Sequence, residues 1–217
     1  MTVAAPRGGQ ERSDPGDDSE SAEVPAEQSG VRRSSAIGVL VAGVLGLAAA
    51  ATLTVEKIEI LIDPSYIPSC SLNPVLSCGS VMTTPQASVF GFPNSLLGII
   101  AFTVVLVTGV LTVARVNLPR WYWAALAVGT ALGVVFVHWL IFQSLYRIGA
   151  LCPYCMVVWA VTVPLLVIVA SIALRADTGT GVAGVIYQWR WSLVALWFTA
   201  VLLLILVRFW NYWSTLV

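Results

Sequence analysis

Charge is scarce in most of this 217-residue chain. Eleven of its 22 Asp, Glu, Lys and Arg residues lie in residues 1–33, which leaves eleven for the 184 residues that follow. A soluble globular domain is usually about 25% charged. Residues 34–217 therefore cannot supply a water-exposed surface, and a soluble enzyme, a nucleic-acid-binding protein and a disordered chain are excluded for this region. A mean hydropathy of +0.88 over the whole chain agrees with a protein that lies in a bilayer.

The first 33 residues have the opposite character. They carry seven acidic and four basic residues, are rich in Gly, Ser and Pro, and contain no aromatic residue. Such a segment cannot bury enough apolar surface to offset the entropy of an ordered chain. We expect residues 1–33 to form a disordered cytoplasmic tail without a catalytic role.

Five stretches are long and apolar enough to cross the hydrocarbon, which takes about 20 residues of helix. They are residues 34–55, 94–114, 121–146, 148–174 and 191–207. The sequence predicts an all-α integral membrane protein whose single transmembrane domain, residues 34–217, has a four-helix bundle core and a fifth span. Five glycines in the spans are predicted to be helix-packing contacts, namely Gly38, Gly43, Gly46, Gly129 and Gly133.

The orientation follows from the basic residues near the ends of the spans. With the N-terminus inside, six arginines lie on the inner side and three basic residues on the outer side. The inner set is Arg32, Arg33, Arg115, Arg120, Arg175 and Arg190, and the outer set is Lys57, Arg147 and Arg208. We therefore predict a multi-pass protein of the inner (plasma) membrane with a cytoplasmic N-terminus and an extracytoplasmic C-terminus.

One connection between spans is long. Residues 56–93 form an outer segment of 38 residues that contains five prolines. Connections longer than about 15 residues are usually functional or disordered. Because many of its residues are apolar, we expect an ordered extracytoplasmic loop, with residues 84–92 as a candidate re-entrant helix.

All four cysteines fall on the predicted outer side, although they were not used to derive the topology. Cys70 and Cys78 lie in the long loop, and Cys152 and Cys155 lie at the outer end of the fourth span. Pro153 suits the first position of a helix, which places Cys152 near the N-cap, where amide donors and the helix dipole lower a thiol pKa. This spacing favours a redox-active pair, with a structural disulfide or half of a zinc site as alternatives. The loop pair is either a local structural disulfide or a mobile shuttle.

Three stretches together resemble the vitamin K epoxide reductase family. They are CSLNPVLSCGS at residues 70–80, VFGFPNSLLG at residues 89–98, and CPYC at residues 152–155. The resemblance covers about residues 36–175, including the order of the spans and of both cysteine pairs. It implies a bacterial disulfide-forming type without a fused thioredoxin domain. Such an enzyme re-oxidises a separate thioredoxin-fold extracytoplasmic partner and passes the electrons to a membrane quinone, menaquinone or ubiquinone.

The resemblance also implies roles for individual residues. Cys70 would take electrons from the partner, Cys78 would form a transient disulfide with Cys152, and Cys155 would face the quinone. Asn94 occupies the family's polar position on the quinone side, and Ser95 lies beside it. Where vertebrate members carry a tyrosine one turn beyond the CxxC pair, this chain has Trp159, and the missing phenolic donor argues against epoxide reduction.

Further cofactor contacts follow from the residues themselves. A disulfide oxidant needs an electron acceptor, the sequence has no Rossmann glycine motif or haem pattern, and a quinone can reach a pocket between helices from the lipid. Phe90 and Trp159 are expected in the apolar wall of that pocket. His138, in the third span, either makes an interhelical hydrogen bond or serves the quinone as a ligand or proton relay.

Three other functions fit part of the pattern. An epoxide or quinone reductase would use the same residues with hydroquinone as its product. Another family of four-helix thiol oxidases carries its CxxC pair in the first outer loop, which is the reverse of the order here. A metal-binding or transport protein with four thiolate ligands would be expected to carry acids and histidines along its spans, where only His138 occurs.

Overall fold

The computed structural model describes residues 31–174 and 182–215, with the side chains of residues 182–187 left out. The helices are α1 (Arg33–Ile62), α2 (Cys78–Met82), α3 (Asn94–Val113), α4 (Arg120–Phe142), α5 (Pro153–Ala173), α6 (Val182–Arg208) and α7 (Trp210–Trp213). Five helical stretches are long and apolar enough to span a membrane: Arg33–Ile62, Asn94–Val113, Arg120–Ile148, Pro153–Ala173 and Gln188–Arg208. The predicted all-α membrane fold is confirmed. The tail predicted to be disordered lies outside the described residues, except for residues 31–33.

The closest helix pairing joins α1 to α3. A Cβ atom on Gly43 of α1 would lie 2.6 Å from the Cα of Leu106, and one on Gly109 of α3 would lie 2.5 Å from the Cα of Leu40. The two backbones therefore approach as closely as glycine alone allows. Further interfaces join α1 to α5 and α4 to α5, so α1 and α5 form the centre of the bundle.

Helices α3 and α4, which flank this centre, stay apart over much of their length. Near the end of the bundle remote from the cysteines, the hydroxyl oxygens of Thr108 and Tyr122 lie 2.6 Å apart. Towards the cysteines, the gap between the two helices opens into a cavity of about 910 Å³ that α1 and α5 also line. The four-helix core is therefore a bundle with one open side.

Several helix boundaries differ from those of the predicted spans. Helix α1 continues to Ile62, beyond the predicted end at residue 55, because the sequence has no helix-breaking residue before Pro64. The third span continues through a π-helical turn, Gln143–Ile148, and ends where Gly149 adopts a left-handed conformation with φ +73°. The fourth span therefore begins at Pro153, not at residue 148. The candidate re-entrant helix at residues 84–92 is only a short 3₁₀ turn, Pro85–Ser88.

The long loop is bound to the turn between α4 and α5. Leu76 and Leu151 form an isolated parallel bridge, in which Leu151 N–H donates to Val75 O at 2.7 Å and Ser77 N–H donates to Leu151 O at 2.9 Å. Arg208, at the end of α6, donates from Nε to Leu145 O at 2.9 Å. The loop, this turn and the end of α6 therefore lie at one end of the molecule, called the cysteine end below.

Candidate redox site

Three of the four cysteine sulfurs are clustered and buried. Cys70 and Cys78 form a disulfide, and the Sγ atom of Cys78 lies 3.0 Å from the Sγ atom of Cys152. Cys70 is 6% exposed, and Cys78 and Cys152 are fully buried. Cys152 and Cys155 are free thiols. A separation near 3 Å between a thiol and a disulfide sulfur is the distance from which nucleophilic attack proceeds.

Two helix N-termini fix the facing sulfurs. Cys78 is the first residue of α2, and the side chain of Ser77 accepts a hydrogen bond from Ser80 N–H as the N-cap. Cys152 is the N-cap of α5, and Pro153 is its first helical residue, as the sequence predicted. The bridge between Leu76 and Leu151 joins the residues that lie just before these two ends.

The environment of Cys152 favours its thiolate. A hydrogen bond from the Cys155 thiol lowers the pKa of Cys152, and the backbone N–H groups of Cys155 and Tyr154 lower it further. Burial and the charge of Glu56 act in the opposite direction, but the net pKa is below that of an ordinary thiol. Because the thiolate is the nucleophile, Cys152 is suited to exchange with the neighbouring disulfide.

Cys155 connects the sulfur cluster to the cavity. It is half-buried and lines the cavity wall. The lining is mostly apolar, and the volume is within the range typical of pockets for small molecules. The cavity also opens between two helices that cross the bilayer. It therefore fits a ring-shaped, lipid-soluble acceptor beside a thiol.

Trp159 lies one helical turn after Cys155 and also lines the cavity. Its indole N–H is buried and has no hydrogen-bond partner among the described residues. A buried donor without a partner is costly, so an acceptor brought next to it would be stabilised. The indole nitrogen is not exposed to the cavity, so the ring would have to shift before this N–H could bond to a molecule bound there.

The other predicted cofactor contacts, apart from His138, line the same cavity. Asn94 donates from Nδ2 to Gln86 O at 2.7 Å and accepts from Val89 N–H at 3.2 Å, which leaves its amide one donor and one lone pair. Ser95 accepts a hydrogen bond from Thr54 Oγ1 at 2.8 Å.

Phe90, in the segment before α3, is largely exposed. Its ring centroid lies 6.2 Å from that of Phe136 on α4. This aromatic contact joins the loop to the far side of the gap between α3 and α4, at the end of the cavity nearest the loop.

The structure does not bring His138 to the cavity. Its ring faces α6, where Nε2 accepts a hydrogen bond from the indole N–H of Trp197 at 2.8 Å, and Nδ1 lies 2.8 Å from Val134 O. Since Nε2 is an acceptor, Nδ1 carries the proton and donates to the backbone. His138 therefore makes an interhelical hydrogen bond, which is one of the two roles that the sequence suggested for it.

The sequence alone predicted no functional role for Glu56 or Lys57. Residue 56 served only as the start of the long loop, and Lys57 only as one of the outer basic residues. Both are helical and lie next to the functional residues. Glu56 is buried and bonded to the loop before Cys70, and Lys57 lines the cavity. The sequence could have indicated them, because both are charged residues at the end of an apolar span. A charged group in that position needs either a bonding partner or water.

One group of potential metal ligands occurs among the described residues. The sulfurs of Cys70, Cys78 and Cys152 lie within 4.8 Å of one another. Two of them are joined in a disulfide, so in this redox state the group offers one thiolate. The arrangement is therefore better suited to sulfur exchange than to metal binding.

The comparisons with known proteins agree with this chemistry. A search of curated proteins finds no match to the chain. A model of the vitamin K epoxide reductase family, however, matches residues 37–170, which include both cysteine pairs and the cavity wall. With this match over more than half of its length, the chain belongs to the vitamin K epoxide reductase family, whose members link thiol–disulfide exchange to a quinone.

Proposed function

We propose that this protein is a membrane thiol oxidase that re-oxidises a separate thioredoxin-fold partner for disulfide formation in exported proteins. Electrons would pass from the partner to Cys70 and Cys78, then to Cys152 and Cys155, and finally to menaquinone or ubiquinone. The observation that carries this proposal is the short path between the sites. Cys78 lies 3.0 Å from Cys152, and Cys155 of the same CxxC pair lines the cavity.

The first transfer begins outside the protein. A partner thiolate attacks the Sγ of Cys70, a mixed disulfide forms, and Cys78 leaves as a thiolate. The partner's second thiol then attacks its own sulfur in the mixed disulfide. The partner leaves oxidised, and both loop cysteines are reduced, so two electrons and two protons have entered the loop pair.

The second transfer runs between the two cysteine pairs. The Cys78 thiolate attacks Cys152 in an oxidised CxxC pair, which forms a disulfide between them and releases Cys155 as a thiolate. Cys70 then attacks Cys78, which restores the loop disulfide and leaves both CxxC thiols reduced. The described state, with an oxidised loop pair beside two free CxxC thiols, corresponds to the end of this step.

The cavity residues would complete the path. A bound quinone supplies a sink for two electrons and two protons. Cys155 would present its own thiol to the quinone at the cavity wall. The Trp159 N–H and the free donor of Asn94 would orient the oxygens of the quinone ring. The apolar lining would exclude water from the reduced thiols.

We further propose that the cysteine end is extracytoplasmic. Both cysteine pairs belong to this end, whereas Arg32, Arg33 and Arg120 lie at the opposite ends of their helices, as expected for the cytoplasmic side. Labelling intact cells with a membrane-impermeant maleimide, after mild reduction, should modify Cys70. Labelling only after the cells are permeabilised would show that the cysteine end is cytoplasmic.

Anaerobic mixing tests the proposed function directly. The fully reduced protein should lose two thiols for each menaquinone or ubiquinone reduced, as measured by thiol titration and quinone absorbance. A Cys70→Ala variant should lose activity with a thioredoxin-fold protein but retain partial activity with a small dithiol. Full activity of this variant with the protein partner would exclude the shuttle role of the loop pair.

An epoxide reductase is the second candidate, because it would use the same two cysteine pairs and the same cavity beside Cys155. The same reduced protein should then convert a quinone epoxide to the quinone, at the expense of two thiols. Turnover with quinone but not with epoxide would leave the thiol oxidase as the function.

A further inference from the structure

We propose that Glu56 is a positioning residue that holds the Cys70 side of the loop against the end of α1 and so aligns the loop disulfide with Cys152. This inference rests on the proposed function. Glu56 is buried, with 6% of the residue exposed. It accepts hydrogen bonds from the hydroxyl of Tyr66 at 3.0 Å and from the backbone N–H of Ser69 at 3.3 Å, and the Ser69 hydroxyl also donates to it. Ser69 immediately precedes Cys70.

The burial of Glu56 gives these contacts their weight. A carboxylate removed from water is strongly destabilising unless donors replace the water. Here the three donors come from Tyr66 and Ser69, within one short stretch of the loop. The carboxylate is therefore satisfied when this stretch lies against α1, and it loses its partners if the stretch moves away.

The next residue of α1 holds the other side of the disulfide. The ammonium group of Lys57 donates to Met82 O at 2.7 Å, and Met82 ends the short helix α2 that begins with Cys78. Glu56 and Lys57 thus bind the chain on either side of the Cys70–Cys78 disulfide. Their helix is itself fixed against α3 by the close glycine packing at Gly43.

This arrangement favours one of the two reactions of the loop. With Ser69 bound to Glu56, Cys70 is 6% exposed and Cys78 faces Cys152, so exchange within the protein is favoured and attack by a bulky partner is hindered. When Ser69 is released, Cys70 is uncovered and the alignment is lost. Removal of the carboxylate should therefore change the two reactions in opposite directions, which a general loss of stability would not do.

The internal reaction can be isolated in a Cys155→Ala background. There the Cys152 thiolate attacks Cys78, a Cys78–Cys152 disulfide forms, and Cys70 leaves as a thiolate that an alkylating reagent traps. Peptide mapping without reduction measures the yield. Glu56→Ala should lower the rate of formation at least about ten-fold, as expected for the loss of hydrogen bonds to a charged group. Glu56→Gln should have a smaller effect, because its amide oxygen still accepts from one hydroxyl.

The external reaction uses the otherwise native protein with its loop pair oxidised. The rate at which a reduced thioredoxin forms a mixed disulfide with Cys70 should increase in Glu56→Ala. Ser69→Ala removes one donor without removing the buried acid, and it should shift both rates in the same directions by less. Glu59→Ala is the matched control, because Glu59 is exposed and lies one turn further along α1, and it should change neither rate.

The outcomes separate the two proposals. If the Cys155→Ala protein with native Glu56 forms no Cys78–Cys152 disulfide, the proposed electron path fails. If that disulfide forms equally fast with Glu56 and with Ala at this position, the path stands and the positioning role of Glu56 is wrong. A fall in both the internal and the external rate would also overturn it, because that result indicates a damaged loop.

Discussion

The sulfur cluster and the cavity lie next to each other but are built in different ways. At the cluster, Cys70, Cys78 and Cys152 are almost completely buried, and backbone hydrogen bonds tie the loop to the start of α5. At the cavity, α3 and α4 remain apart and leave about 910 Å³ beside Cys155. Exchange between sulfurs needs atoms placed within a few tenths of an ångström, whereas admission of a lipid-soluble molecule needs space. The protein therefore packs one region tightly and leaves the other open.

The largest expected effect comes from removing the residues at which the two regions meet. Cys152→Ala and Cys155→Ala should each abolish quinone reduction, because the one cysteine left in the CxxC pair cannot form the disulfide through which two electrons reach the quinone. The double variant should be no worse than either single variant, since the two thiols act as a unit. The measurement is anaerobic quinone absorbance with a small dithiol as the reductant. Turnover by either variant at a tenth or more of the native rate would place the electron path elsewhere.

Filling the cavity should separate the two regions. Gly129 is part of the cavity wall on α4, and a Cβ atom there would meet nothing within 4 Å. A Gly129→Leu side chain would occupy this space and should raise the KM for quinone about ten-fold, equivalent to 1.4 kcal/mol. Exchange between the cysteine pairs, measured by trapping without quinone, should be unchanged.

Gly129→Ala is the control for this effect. It adds one methyl group to open space and should stabilise the helix by up to about 1 kcal/mol, with little change in KM. An unchanged KM in Gly129→Leu would show that the quinone binds outside this cavity.

The acidity of Cys152 should depend on its partner in the CxxC pair. Because the Cys155 thiol is the largest cause of the lowered pKa of Cys152, Cys155→Ala should raise that pKa and reduce the thiolate fraction at neutral pH. In a Cys70→Ala, Cys78→Ala background, the pH midpoint for reaction of Cys152 with a small thiosulfonate should move upward.

Replacement by serine controls for the lost side chain. Cys155→Ser retains a donor, so the midpoint should move less than in Cys155→Ala. An equal shift in the two variants would assign the lowered pKa to the backbone N–H groups at the start of α5.

A smaller effect is expected at Trp159, on the cavity side. Trp159→Phe removes the indole N–H, and the loss of one hydrogen bond of about 1 kcal/mol corresponds to roughly five-fold weaker quinone binding. Trp213→Phe is the matched control, because its indole N–H is also buried with no hydrogen-bond partner in the described part of the chain, but Trp213 does not line the cavity. Equal effects of the two substitutions on quinone KM would assign the loss to packing rather than to a hydrogen bond.

The sequence predicted the sulfur end better than the cavity. The positions of the spans alone placed Cys70, Cys78, Cys152 and Cys155 on one side, and the proline of the CxxC motif placed Cys152 at a helix N-cap. These are local or topological features, so hydropathy and residue type are enough to predict them. The helical extension of α1 to Ile62 was missed because a hydropathy window ends at the first charges, although charged residues do not end a helix.

The shape of the cavity could not be predicted because it depends on which helices do not touch. Five glycines were expected to be packing contacts. A Cβ atom on Gly38, Gly43 or Gly46 would overlap a neighbouring helix, whereas Gly129 faces open space. The residue type is the same in both cases, and only the arrangement of the helices distinguishes them. For the same reason, the sequence left two interpretations of His138 open, and only the direction of its side chain, toward Trp197 on α6, separates it from the cavity.

His138 provides the smallest expected effect and tests whether the two faces of α4 are independent. His138→Ala should leave the quinone KM unchanged, because the imidazole is bonded to Trp197 and does not line the cavity. It should lower the stability of the contact with α6 by about 1 kcal/mol, the usual value for one hydrogen bond, measured by thermal unfolding in detergent. Trp197→Phe removes the same hydrogen bond from the other side and should give a similar loss. A rise in KM comparable to that of Gly129→Leu would instead show that α6 controls the width of the gap between α3 and α4, and the cavity would then depend on the fifth span as well as on the four helices that line it.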